Sequence, residues 1–276
     1  MTTSPDQQSV EPQTAQDVVE LLVEGGVATV VLNRPDAMNA VDRAVKERLI
    51  AVLEQVADDP QVRCVVLTGR GRAFCVGQDL KEHVASLMRG DEALGTTVVD
   101  HYNRIAVLLA TMNKPVVAAL NGVTAGAGAS MAFACDFRIL VEGAGINLAF
   151  AGIALSCDTG SSWSLPRLVG TAKAKELLLL PRTVPSEECL ALGLVTKVAA
   201  AEDFEESVAE LARTLADGPT LAYGSIRRAV AANAGQDLEA ALAYEAELMT
   251  LTGASADHRA AVDAFLAKEK PVFEGR

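Results

Sequence analysis

The feature that most constrains this chain is the run "KPVVAALNGVTAGAGAS" at residues 114–130. An unbroken apolar, β-branched stretch is followed at once by ten residues holding three glycines and three alanines. Such a run, closed by glycine, reads as a strand buried on both faces, and strands of that kind occur where helices cover a mostly parallel sheet. The stripped segment after it lets something come close to the main chain, because small residues leave backbone N–H groups uncovered.

The same rhythm recurs along the sequence. "VATVVL" (residues 27–32) is closed by "NRPD", and Val41, Val45, Leu49, Val52 and Val56 then fall at helical spacing. "RCVVLTG" (63–69) is another short strand ending in glycine, with a helical stretch over about 98–112 before the strand at 114–122. A short helix is expected over 130–134, a strand at "DFRILVE" (136–142) and, past Pro166, one more short strand at "GLVTKVA" (193–199). From about residue 203 the chain turns Ala-, Glu- and Leu-rich with helical periodicity, broken at "DGPT" (217–220), "NAGQD" (233–237) and "TGAS" (252–255). No fixed-period repeat is visible, so a solenoid is not expected. The expected organisation is a disordered tail over 1–16, an α/β core domain of strand–helix units over 17–202 and a helical region over 203–276.

Composition narrows the function classes. Half of the residues are hydrophobic but only 4% are aromatic, so Val, Leu, Ile and Ala must fill the core. The net charge of -12, with no basic cluster beyond "IRRA" (226–229), argues against nucleic acid as a partner. No stretch of 18 apolar residues suggests a membrane span, and the first sixteen residues lack the basic and apolar regions of a signal peptide. The five cysteines form no CxxC pair, and three of them sit in apolar runs; a reducing, cytoplasmic compartment is the expectation. His83, His101 and His258 have no partners at ligand spacing, so no metal is implied.

Two strand ends carry small-residue turns: residues 69–82, "GRGRAFCVGQDLKE", and residues 121–130. A dinucleotide loop is a poor reading of the second, because Met131 stands where the third glycine of G-x-G-x-x-G belongs. Two such turns can instead supply two converging N–H donors for a carbonyl oxygen that gains negative charge, or they can be plain tight turns.

Four ordered segments narrow that choice: "VVLNRPDAMNAVD" (30–42), "GRAFCVGQDLKE" (71–82), residues 114–139 and "WSLPRLVG" (163–170), with the terminal "AFLAKEKPVFEGR" (264–276). Together they resemble the crotonase, or enoyl-CoA hydratase/isomerase, superfamily, over about residues 18–276. The resemblance implies a spiral of ββα units, a C-terminal helical trimerisation region and thioesters of coenzyme A as substrates. Coenzyme A then belongs to the substrate, with no permanently bound cofactor, and the assembly is a homotrimer or homohexamer. By motif position, the N–H groups of Gln78 and Ala127 form the oxyanion hole that holds the thioester oxygen as an enolate.

The two glutamates used by hydratases to activate water are matched by Ser130 and Phe150, neither of which is a carboxylate base. What remains is Asp158 in "ALSCDTGSSWSLPRLVG" (154–170), resembling the branch that includes epoxyphenylacetyl-CoA isomerases. One carboxylate suffices to move a proton between two carbons while the enolate is held. The alternative for Asp158 is a helix N-cap. Departures from the branch pattern are Cys157, where proline is usual, and Gln78, where a small residue is usual. The resemblance also places Ala37, Val76, Asp79, Leu80, Lys81, Ser130, Phe150, Trp163, Phe265 and Lys268 at substrate or coenzyme A contacts. Phe265 and Lys268 reach the adenine and phosphates, often from a neighbouring subunit. The leading expectation is an enoyl-CoA isomerase; the alternatives are a hydratase of fatty-acid β-oxidation and a non-catalytic acyl-CoA-binding relic.

Overall fold

The computed structural model describes residues 18–90 and 93–276. The expected tail at 1–16 therefore lies outside the described residues. A six-stranded sheet contains β1 (Val19–Glu24), β2 (Val27–Leu32), β3 (Cys64–Gly69), β5 (Val116–Leu120), β7 (Phe137–Val141) and β10 (Lys197–Ala199), in that spatial order. A four-stranded sheet contains β4 (Ala73–Cys75), β6 (Val123–Ala125), β8 (Gly145–Asn147) and β9 (Thr183–Pro185). Pairing is parallel except for the β1–β2 hairpin and the β8–β9 pair.

The chain alternates between the sheets. β3, β5 and β7 each pass after a short link into a three-residue strand of the small sheet, then into helical structure, which makes a spiral of ββα units. The corners are tight enough to dictate residue type: a Cβ on Gly122 would lie 2.1 Å from the Arg72 carbonyl oxygen. Three-residue strands show no period, which is why β4, β6, β8 and β9 were invisible to pattern reading.

β3 and β5 have no solvent face. Val65 and Leu67, with Val116, Ala118 and Leu120, enter the larger core, while Cys64 and Val66, with Val117 and Ala119, enter a second core on the other side. Side chains alternate across a strand, so a strand covered on both sides must be apolar at every position. The larger core is built with α1 (Arg43–Asp58), α4 (Asn103–Thr111) and α5 (Ala127–Ala134); the second is closed by α8 (Phe204–Ala216). Asp42 caps α1 by accepting from the Val45 N–H at 2.9 Å.

The three expected breaks in the C-terminal region separate α8 from α9 (Thr220–Asn233), α10 (Leu238–Gly253) and α11 (Ala256–Ala267). Arg227 joins α9 to the core: its Nε lies 2.7 Å from Asp136 Oδ1, and its other nitrogens donate to the carbonyls of Leu109, Met112 and Lys114. Among the described residues, no helix is long and apolar enough to cross a membrane.

Candidate active site

The site begins where the two small-residue turns meet. After β4, Gly77 adopts φ +84, and Gln78 forms a parallel bridge to Val41. The Val41 N–H donates to the Gly77 oxygen at 2.8 Å and the Asp79 N–H donates to the Val41 oxygen at 3.1 Å. In that pairing the intervening residue turns its own N–H to the opposite side. On the second turn, Gly126 (φ +51, ψ -128) precedes Ala127, the first residue of α5, whose N–H has no intrahelical acceptor. Among the described residues neither the Gln78 nor the Ala127 N–H has a hydrogen-bond acceptor. The turns abut so closely that a Cβ on Gly77 would stand 3.0 Å from the Ala127 nitrogen.

The glycines of residues 121–130 therefore serve mainly protein packing. Gly126 supplies a backbone conformation that L side chains rarely adopt, and a Cβ on Gly128 would meet the Cys75 carbonyl oxygen at 2.3 Å. Closeness of α5 to the β4 turn is what sets one N–H beside the other.

Gln78, Ala127 and Asp158 all line a cavity of about 520 Å³. Asp158 is not the cap of the helix that follows it, α6 (Ser161–Leu179), whose N-cap is Gly160. Its main-chain oxygen accepts from the Ser161 N–H, and its Oδ1 accepts from the Thr159 hydroxyl at 2.8 Å. Burial raises the Asp158 carboxyl above its ordinary value, opposed by the Thr159 hydrogen bond and the positive charge of Lys46. Val76, Leu80, Phe150, Ile153 and Leu155 supply apolar wall.

The opposite wall escaped sequence reading. Lys46 of α1 has a side chain only 3% exposed, with Nζ 3.3 Å from Glu82 Oε2 and 5.3 Å from the centre of the Tyr102 ring. Glu82 lies on α2 (Leu80–Arg89), and Tyr102 ends a π-helical turn, Val98–Tyr102. The Tyr102 hydroxyl donates to Gln78 Oε1 at 2.8 Å, and Gln78 Nε2 donates to Glu82 Oε2 at 3.0 Å. His83 and His101, which lack partners at metal-ligand spacing in the sequence, also line the cavity. One signal was available: Lys46 shares an i, i+4, i+7 stripe with buried Ile50 and Leu53, where a lysine is out of place.

Several expected contacts lie elsewhere. Ser130 is fully buried, donates to the Gly126 oxygen and meets the Ser161 hydroxyl, so it does not line the cavity. Trp163 stacks on Arg167, 4.1 Å from ring centre to guanidinium, and lines a separate apolar groove with Val107 and Tyr244. It therefore does not line the cavity that holds Asp158. Asp79 caps α2 through the N–H groups of Lys81 and Glu82 and pairs with Arg34 at 3.0 Å. Ala37 and exposed Lys81 lie outside the cavity lining, as do exposed Phe265 and Lys268. Cys157 is half-buried, and the other four cysteines are buried.

The enoyl-CoA hydratase/isomerase family model matches residues 23–276. The chain is 39% identical to the 1,2-epoxyphenylacetyl-CoA isomerase of Escherichia coli (strain K12), over 92% of this chain and 97% of that protein. It is 38% identical to a Rhodobacter capsulatus protein described as an enoyl-CoA hydratase, over 92% and 96% of the two chains. A crystal structure from Mycobacterium abscessus, described as an enoyl-CoA hydratase/isomerase, superposes with a TM-score of 0.89 at 42% identity, covering 94% of this chain and 100% of that one. Sequence and fold agree over nearly the whole length, and the chain belongs to the enoyl-CoA hydratase/isomerase family of the crotonase superfamily.

Proposed function

We propose that the protein is an acyl-CoA isomerase that moves a double bond from the β,γ to the α,β position, with Asp158 as the proton shuttle. The observation behind this reading is a single carboxylate, raised by burial and with one hydroxyl donor, sharing a cavity with two unengaged N–H groups. The other acids of the wall are unsuited: Glu82 is engaged by Gln78, Lys46 and the Arg43 N–H, and Asp100 is exposed. The positions that match the water-activating glutamates hold Ser130, turned away, and Phe150, which dries the wall.

The chemistry balances within the site. The Asp158 carboxylate takes the α-proton of a β,γ-enoyl thioester, and the C–H electron pair becomes a dienolate whose oxygen accepts from the Gln78 and Ala127 N–H groups. Asp158, now protonated, returns the proton to the γ-carbon as the thioester carbonyl re-forms. Donors fixed before the reaction stabilise the developing charge without reorganisation, at about 2.7–4 kcal/mol per donor. Coenzyme A arrives as part of the substrate. Phe265 and Lys268 reach it from a neighbouring subunit of a trimer or hexamer.

Asp158→Asn is expected to lower double-bond migration on a panel of enoyl-CoA substrates by about 10²- to 10⁴-fold, the span of general acid–base contributions. Near wild-type migration overturns the assignment. Water addition measured on the same panel decides the hydratase alternative, and acyl-CoA binding without turnover decides the relic.

A further inference from the structure

The Gln78 side chain stands at the cavity wall but is engaged at both ends. Its oxygen accepts from the Tyr102 hydroxyl at 2.8 Å and its nitrogen donates to Glu82 Oε2 at 3.0 Å. The orientation is forced, because a carboxylate only accepts and so must face the amide nitrogen. Three elements converge on this one carboxamide: Tyr102 from the π-helical turn, Glu82 from α2 and, through Glu82, Lys46 and the Arg43 N–H of α1. Tyr102 is 1% exposed, and burial holds its phenol well above the ordinary value, so it stays a donor. Such a network is over-engineered for a surface-facing glutamine. It sits instead on the residue whose main-chain N–H must be aimed, in a loop bridged to Val41.

We propose that Tyr102 and Glu82 are positioning residues: by gripping the two ends of the Gln78 carboxamide they hold the Gln78 N–H on the thioester oxygen. The inference rests on the oxyanion role proposed above for that N–H. It implies that the Tyr102 hydroxyl serves the catalytic apparatus from the π-helical turn without meeting the reacting atoms, in line with the frequent occurrence of π-turns at functional sites. It also makes Gln78 a poor contact for the acyl chain, since its polar atoms are spent inside the protein.

The test compares Tyr102→Phe, which deletes one oxygen, and Gln78→Met, which releases both ends at similar volume. Loss of one neutral hydrogen bond predicts a fall in kcat of about 3- to 10-fold for Tyr102→Phe, with KM within about twofold. Gln78→Met should fall further. The discriminating measurement is calorimetric binding of a β-ketoacyl-CoA, whose enolate oxygen mimics the charged state, against a saturated acyl-CoA of equal length. The proposal expects weakened binding of the first and unchanged binding of the second. Equal weakening of both, or unchanged kcat in Tyr102→Phe, overturns it. If Gln78→Met does not fold, Tyr102→Phe alone decides. Failure of the functional reading is distinct, since it shows as an active Asp158→Asn variant whatever the Tyr102 and Gln78 variants do.

Discussion

The two halves of the proposed oxyanion hole, one N–H each, are held by opposite means. Ala127 is aimed by subtraction: Gly126 takes a conformation closed to other residues, and Gly128 lets α5 lie against the Cys75 carbonyl. Gln78 is aimed by addition: a side chain clamped by Tyr102 and Glu82, in a loop bridged to Val41. The difference follows from where each sits. A helix terminus already has a rigid axis and unpaired N–H groups, so it needs only room to approach. A loop has no ladder of its own, and its side chains must supply the rigidity.

The largest expected effect comes from breaking the half built by subtraction. Gly128→Ala puts a Cβ 2.3 Å from a backbone oxygen that cannot swing aside, so α5 must retreat from the β4 turn. A loss of about 3 kcal/mol, the upper end of overpacking costs, is expected in denaturant unfolding, together with near-complete loss of activity. Cys75 reports the separation directly. Its thiol lies at the junction and burial pushes it up to about 12, so alkylation is negligible in the wild type and should become measurable in the variant.

Gly77→Ala strains the other half and is smaller. The left-handed φ costs about 1–2 kcal/mol in an L-residue. The new Cβ lies 3.0 Å from the Ala127 nitrogen, close enough to spread the two donors. The expected outcome is a folded protein with kcat down about tenfold, equivalent to about 1.4 kcal/mol, read by steady-state kinetics. If Gly77→Ala unfolds the protein as readily as Gly128→Ala, the contrast between the halves fails.

The smallest effect separates the donors, which do not titrate, from Asp158, which does. Its carboxyl is raised in the folded state, so the folded protein keeps this proton to higher pH than the unfolded chain does. The associated stability is complete below the ordinary aspartate value of about 3.9 and is lost as pH rises through the raised value. At neutral pH Asp158→Asn should therefore melt slightly above the wild type, with the gap closing as the pH falls towards 4, while kcat/KM of the wild type declines as pH falls through the raised value. A variant that melts below the wild type at neutral pH would mean that Asp158 is held as a structural anion.

Much of the scaffold was legible because its signals are local. The runs at β2, β3, β5 and β7 are apolar at nearly every position since both sheet faces are covered, and the C-terminal helices break at the glycine- and proline-bearing turns. The β1 strand was missed, since three of its six residues are exposed. Gln78, Ala127, Phe150 and Asp158, which motif resemblance singled out, line one cavity. It did not show that Ser130 turns towards Ser161 or that Trp163 packs on Arg167, because which way a side chain leaves a helix depends on the neighbours it meets.

The sequence by itself determined the alternation of apolar strands with helices and the glycine positions, and motif resemblance added the ββα spiral and the one acid left beside two replaced glutamates. These are properties of residue type and order, and no distant contact is needed to specify them. Only the tertiary structure decided how the site is completed. Lys46, Glu82 and Tyr102 come from three separate elements and Gln78 from a loop, and a network closed through space leaves no period or spacing in the chain. The same holds for Asp158: its type was written in the sequence, but its proton affinity follows from burial and from the Lys46 charge, which exist only once the chain has folded.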